Sequence, residues 1–235
     1  MKTNSFNRFA GWSAIISALL FGLSIFGMLQ YLEGDLGKVP SFLQNMTDNK
    51  GMMLLYGWPG LTATILMLPL FYSAHLRNSS RIHISKSIFL MSLIGIVFVL
   101  IGYLFHLAFT YFHTPIYKTL DTVRQSAFDA VFQTNVGIQD MFWLSGDLFA
   151  FLGISLLVIL NWKEANTPKW LIVWVAISGF AAALGSFSFI PAYKNNMALG
   201  LMFLIGFSLY AIWQIFMGIH LIRSKKTIGD TQLSN

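Results

Sequence analysis

The sequence predicts an all-α polytopic membrane protein, a bundle of six transmembrane helices with both termini inside (N-in/C-in) and an outer amphipathic helix between spans three and four. Three observations predict it. Only 10% of the 235 residues are charged while 56% are apolar, and mean hydropathy is +0.65. Soluble domains carry about a quarter charged residues, so a water-soluble globule is excluded, and the same balance opposes the signature of disorder. Six long apolar stretches follow one another, over about 9–32, 51–75, 87–112, 137–161, 169–190 and 198–222. Finally, the basic residues divide unequally between the two sides of those stretches.

Even the shortest stretch spans roughly 33 Å as a helix, enough for a hydrocarbon core of about 30 Å. Backbone groups in hydrocarbon must satisfy one another, which selects helices, and the alternation of barrel strands is absent. The first stretch follows Lys2 and Arg8, as a signal peptide would. It is too long for a signal core, however, and Gln30-Tyr31-Leu32-Glu33 offers no small-x-small cleavage site, so it reads as a retained helix. Span two carries Trp58-Pro59-Gly60 and Pro69, which free backbone groups and mark a kink or a pathway helix. Span three is the cleanest: between Ser87 and Phe112 its only ionisable side chain near neutral pH is His106. Span four contains Asp140 and Asp147, and Pro191 ends span five.

The connections are of two kinds. Inner ones are short. Of the outer ones, 33–50 reads as an irregular loop around Pro40, and 114–136 repeats Leu120, Val123, Ala127, Val131 and Phe128 at helical spacing. That repeat predicts an amphipathic helix on the outer surface or capping the bundle, starting at a cap near Thr119–Asp121 and able to run straight into span four. The chain reads as one integral membrane domain, 1–235, without a soluble appendage.

Orientation follows from the basic residues. Lys2, Arg8, Arg77, Arg81, Lys86, Lys163, Lys169, Arg223, Lys225 and Lys226 fall on one side; Lys38, Lys50, Lys118, Arg124 and Lys194 fall on the other. Ten against five places both termini in the cytoplasm. The net charge of +6 therefore describes membrane orientation, and no nucleic-acid partner is expected. Trp12, Trp162 and Trp170 fall near inner boundaries and Trp58 and Trp143 near outer ones, as amphipathic rings prefer, with Trp213 deeper in the bundle. Small residues at Ala14–Ala18–Gly22, Ser178–Ala182–Ser186 and Ala181–Gly185 let helices approach closely, within one chain or in a homodimer. The match of Trp12-x-Ala14-Ile15 with Trp174-x-Ala176-Ile177 is too short to establish a repeat.

Ionisable groups at membrane depth are the candidate functional residues, because a charge there is costly and needs a partner or water. Asp140 and Asp147 lie two turns apart on one helix face, and His106 is expected at a depth comparable to Asp147 in the outer leaflet. With Tyr56 and Tyr103 they outline a polar ligand-binding cavity open to the outside between spans two, three and four. Each has a plain alternative: Asp140 lies in the first turns of its predicted helix, where the macrodipole favours a carboxylate, and Asp147 and His106 can serve as hydrogen-bonding groups between helices.

Other chemistry finds little support. The chain has no Cys, which removes disulfides, thiolate zinc sites, iron–sulfur clusters and a Cys nucleophile. No Walker A loop, G-x-S-x-G elbow, H-E-x-x-H or dinucleotide fingerprint occurs. Among the five histidines, His75 and His220 form the one pair at matching depth that haem would need, and His106, Asp140 and Asp147 are the one set able to supply three zinc ligands. Neither is announced by a motif, so no cofactor is assigned. Asn45-Met46-Thr47 is a glycosylation triplet, meaningful in a secretory eukaryote.

Three segments carry a family likeness: Arg8-Phe9-Ala10-Gly11 entering span one, Lys163 to Pro168-Lys169-Trp170-Leu171 between spans four and five, and Ile212-Trp213-Gln214-Ile215-Phe216-Met217-Gly218-Ile219-His220-Leu221-Ile222 at the end. Through them the chain resembles a family of small six-span bacterial membrane proteins known as domain of unknown function 4386. The resemblance implies a bacterial cytoplasmic membrane and no established activity. Three functions remain open: a membrane protein that binds or transports a small ligand or ion; an intramembrane metal-dependent or acid/base enzyme; and an accessory subunit whose polar residues only pack helices. The partners expected are the lipid bilayer, a small-molecule or ion ligand and, on the small-residue faces, a second copy.

Overall fold

The computed structural model describes residues 3–32, 47–78, 81–161, 167–193 and 196–224. Trp162, Asn45 of the triplet, most of the loop 33–50 and the basic tail from Lys225 lie outside the described residues. Among the described residues there is no strand, and the six long helices are α1 (Thr3–Leu32), α2 (Lys50–Leu76), α3 (Ile82–Ala108), α4 (Thr122–Leu160), α5 (Lys169–Gly185) and α6 (Met197–Arg223). All six segments are long and apolar enough to cross a membrane, and the chain is a multi-pass membrane protein.

The helices follow one another around a ring. Each packs antiparallel on its predecessor, as Ser17 against Ala63 and Ser24 against Tyr56 show for α1 and α2, and α6 returns to α1. Thr3 and Arg223 thus share one end, here called inner, the end that most basic residues mark. Closure depends on backbone contact: a Cβ at Gly11 or Gly218 would lie 2.6 Å from the other's carbonyl oxygen. Of the predicted small faces, Ala14, Ala18, Ser178, Ala182, Gly185 and Ser186 are buried within the chain, whereas Gly22 is exposed. In lipid such close approach supplies the dispersion energy that water exclusion supplies elsewhere. Both prolines of α2 are absorbed without breaking the helix. Pro59 leaves the Leu55 carbonyl unserved, and Ser24 Oγ donates to the neighbouring Tyr56 carbonyl at 2.8 Å.

The inner half of the ring is filled. Trp213, Tyr210, Phe71, Leu70, Leu157 and Leu171 are fully buried there, and Trp213 Nε1 donates to the Leu171 carbonyl at 2.9 Å. Two asparagines tie α2 to α4 at this end. Asn78 Nδ2 donates to the carbonyls of Ala74 (2.9 Å) and Leu157 (3.1 Å), and Asn161 Nδ2 donates to the same two at 3.3 and 3.2 Å. His75 meets Ser85 Oγ at 2.7 Å through Nδ1 and stacks on Phe89.

In the outer half the amphipathic segment runs straight into span four, one of the arrangements the sequence allows: α4 is one helix of 39 residues, about 58 Å. Asp121 caps it, accepting from the Arg124 N–H at 2.9 Å. α3 extends to meet it through a π-helical turn, Phe109–His113, and a short helix, Thr114–Tyr117. Pro115 cannot donate to the carbonyl four residues back, and the turn widens just before it. The face α4 presents to α3 is not the predicted one: Val123, Ala127 and Val131 are exposed, while Phe132 is buried with Phe109, Tyr117 and Met53, and Phe128 packs on them. Two aromatic rings a turn apart bury more area than the aliphatic stripe beside them, so they set the rotation of the helix.

Candidate functional site

A cavity lies inside the ring, where α1, α2, α3, α4 and α6 face one another. Water-sized molecules can place their centres over about 70 Å³ of it, room for several waters or one compact ligand. Its deeper wall is made by Thr64, Met67, Ile96 and Ala150, and its walls extend toward the outer end at Met28, Tyr56 and Phe189.

Asp147 stands in this wall, 5% exposed. Helix register fixes its depth. Gly102 packs on Trp143, and Gly95 packs on Gly146 and Ala150, so Asp147 sits level with Val99 of α3. Gly60 packs on Tyr103 and Ser17 donates to the Ala63 carbonyl, which carries the same level across α2 to the middle of α1. The carboxylate is therefore near the midplane, deeper than the outer-leaflet position the sequence predicts. It makes no hydrogen bond or ion pair with a described residue.

Tyr103 and Tyr56 share the cavity with it. Tyr103 lines the wall beside Asp147 and Ser24. Its ring lies across Gly60, where any side chain would collide with it. Tyr103 meets Trp143 edge-on at 4.5 Å, and Tyr56 packs against Tyr103 at 5.6 Å and Trp143 at 6.3 Å. Trp143 is thus a cavity wall, not the boundary ring expected from its position; Gly102 opposite leaves a flat seat for the indole.

His106 and Asp140 lie elsewhere. His106 is level with Gln139, eight residues short of Asp147 along α4 and roughly 12 Å further out, which corrects the expected match in depth. It is buried behind Tyr56, whose ring meets it edge-on at 4.6 Å, and its Nε2 donates to the Met53 carbonyl at 3.2 Å. His106 does not line the cavity. Asp140 is half-buried and partnered, outside the cavity wall. It stands 18 residues inside α4, so the helix N-terminus expected to favour its charge is more than four turns away. No three His, Asp or Glu side chains converge among the described residues, so His106, Asp140 and Asp147 do not form a ligand set.

The cavity is apolar where a polar one was expected. Phe21, Phe151, Phe203 and Phe207 complete its walls, none of them singled out by the sequence. The signal that could have found them is the aromatic content of 16%, but in apolar spans nothing distinguishes a ring facing a cavity from one facing lipid.

No protein-family profile matches the chain, and neither a curated protein nor a solved structure matches it. The site's own geometry carries the functional argument.

Proposed function

We propose that this membrane protein binds a small ligand in the interior cavity, reached from the outer side, and carries it by way of a midplane site anchored on Asp147. The observation that supports this most is the position of that carboxylate: buried, near the bilayer centre, in a cavity wall and without a described partner. A charge at that depth is expensive unless it is used, and a site near the midplane between helices is where alternating access places substrate. Tyr56 and Tyr103 serve as ring walls, and His106 braces Tyr56 from behind. The scattered positions of His106, Asp140 and Asp147 favour this reading over a metal-dependent enzyme. Likeness to the six-span bacterial family, together with the bias of basic residues, supports a place in a bacterial cytoplasmic membrane.

Ala150 is 4% exposed and lines the cavity, so Ala150→Phe would fill it. Thermal unfolding of the purified protein should be measured against a panel of small amines, acids and neutral aromatics. At least one class should raise Tm in the natural protein and leave Ala150→Phe unshifted. No shift with any class, or equal shifts in both proteins, would contradict the proposal.

A further inference from the structure

We propose that the ligand of this cavity is a small organic monocation, an alkyl- or arylammonium whose charge pairs with Asp147 while its body lies among aromatic faces. The inference rests on the cavity reading and narrows it to one chemical class.

The wall carries a carboxylate and no Lys, Arg or His. An ionised carboxylate in such surroundings needs a countercharge; no described residue is in position to supply one, and a cationic occupant would both pair with Asp147 and keep it ionised. The rest of the wall suits the same occupant. Phe21, Tyr56, Tyr103, Trp143, Phe151 and Phe207 surround the space from several different helices. The faces of such rings are negative and attract a cation, most strongly when both are desolvated.

Other ligand classes fit less well. An anion would meet both Asp147 and the negative ring faces. A neutral molecule would leave the carboxylate unpaired in an apolar chamber. A bare metal cation of the Ca²⁺ or Mg²⁺ type takes about six or more oxygens. Besides Asp147 the wall offers only the hydroxyls of Ser24, Thr64, Tyr56 and Tyr103, too few for such a shell, and Ser24 donates to the Tyr56 carbonyl and Thr64 to the Gly60 carbonyl, each at 2.8 Å. The volume suits a compact cation of single-ring size.

The test is calorimetric titration of the full chain in nanodiscs of zwitterionic lipid, with empty nanodiscs as the blank. Three probes differ in charge on one ring: benzyltrimethylammonium, benzyl alcohol and benzoate. The cation should bind at least tenfold more tightly than either of the others, and Asp147→Asn should weaken it at least tenfold while leaving benzyl alcohol unchanged. The comparison among probes in the unsubstituted protein does not depend on how the variant folds. Equal binding of benzyl alcohol or benzoate, insensitive to Asp147→Asn, would overturn the cation inference and leave the cavity reading standing. Absence of binding by all three would overturn both.

Discussion

The two halves of this bundle set their buried polar groups in different surroundings. In the inner half, Asn78 and Asn161 each serve the same two backbone carbonyls, and Trp213 Nε1 serves a third. Large side chains fill the remaining space. Further out the helices surround a cavity, and Asp147 is left in its wall without a described partner. Buried amide atoms without a partner occur in the inner half as well, among them both side-chain polar atoms of Asn7 and Gln214 and the Oδ1 atoms of Asn78 and Asn161, but the carboxylate stands where the helices surround open space. The difference between the halves is thus one between packed and open surroundings, and it can be broken from either side.

The largest effect should come from the closure of the ring. Gly218→Leu places a branched side chain where the Gly11 carbonyl now lies, and neither backbone can yield without separating α6 from α1. A cost of about 3 kcal/mol is expected, lowering Tm by roughly 6–12 °C, as read by circular dichroism in detergent. An unchanged Tm would mean that the two helices are not in backbone contact.

Next is the asparagine lock. Because each amide serves both carbonyls, Asn78→Ala or Asn161→Ala alone should cost only about 0.5 kcal/mol. Removing both leaves the Ala74 and Leu157 carbonyls bare, and the double variant should lose about 2 kcal/mol. A double-mutant cycle measures this; simple additivity would show that the two amides act separately.

Substitution in the outer half should have the opposite sign. Asp147→Leu removes a buried carboxylate that no described residue compensates, so the protein should gain about 1 kcal/mol of stability, raising Tm by roughly 2–4 °C, while losing ligand binding. A loss of stability would show that Asp147 fastens helices as the asparagines do. The smallest effect is expected at His106. His106→Gln keeps a donor near the Met53 carbonyl, and it should change the affinity for benzyltrimethylammonium less than twofold in the same titration. A tenfold loss would put the imidazole in the wall.

Much of this comparison is legible in the amino-acid sequence. Six apolar stretches are set by composition, since a helix crossing lipid has no other use for so many apolar residues, and Asp147 stands out because it interrupts one of them. What composition does not carry is register between helices. The depth match of His106 with Asp147 assumes that each helix starts at the membrane surface. α3 and α4 instead pair in a register that sets Gly102 against Trp143 and Gly95 against Ala150, with α4 extended well outward of that contact, and this moves the two residues out of level. The same extension removes Asp140 from the helix N-terminus. Trp143 fits an outer boundary by position alone; only Gly102 on the facing helix turns it inward. At the α3–α4 extension two candidate stripes lie side by side, and the choice between them is made by Phe109 and Tyr117, residues distant in sequence. Helix existence is a one-dimensional property of the chain, whereas cavities are properties of pairs of faces.

Carbodiimide labelling tests most directly whether Asp147 faces a chamber that small molecules enter. Dicyclohexylcarbodiimide reaches carboxyl groups in apolar surroundings and leaves a stable adduct on the side chain, which peptide mass spectrometry can place. The adduct should fall on Asp147, and an excess of benzyltrimethylammonium should suppress it there. Labelling of Asp140 and other carboxylates with none at Asp147 would contradict the account.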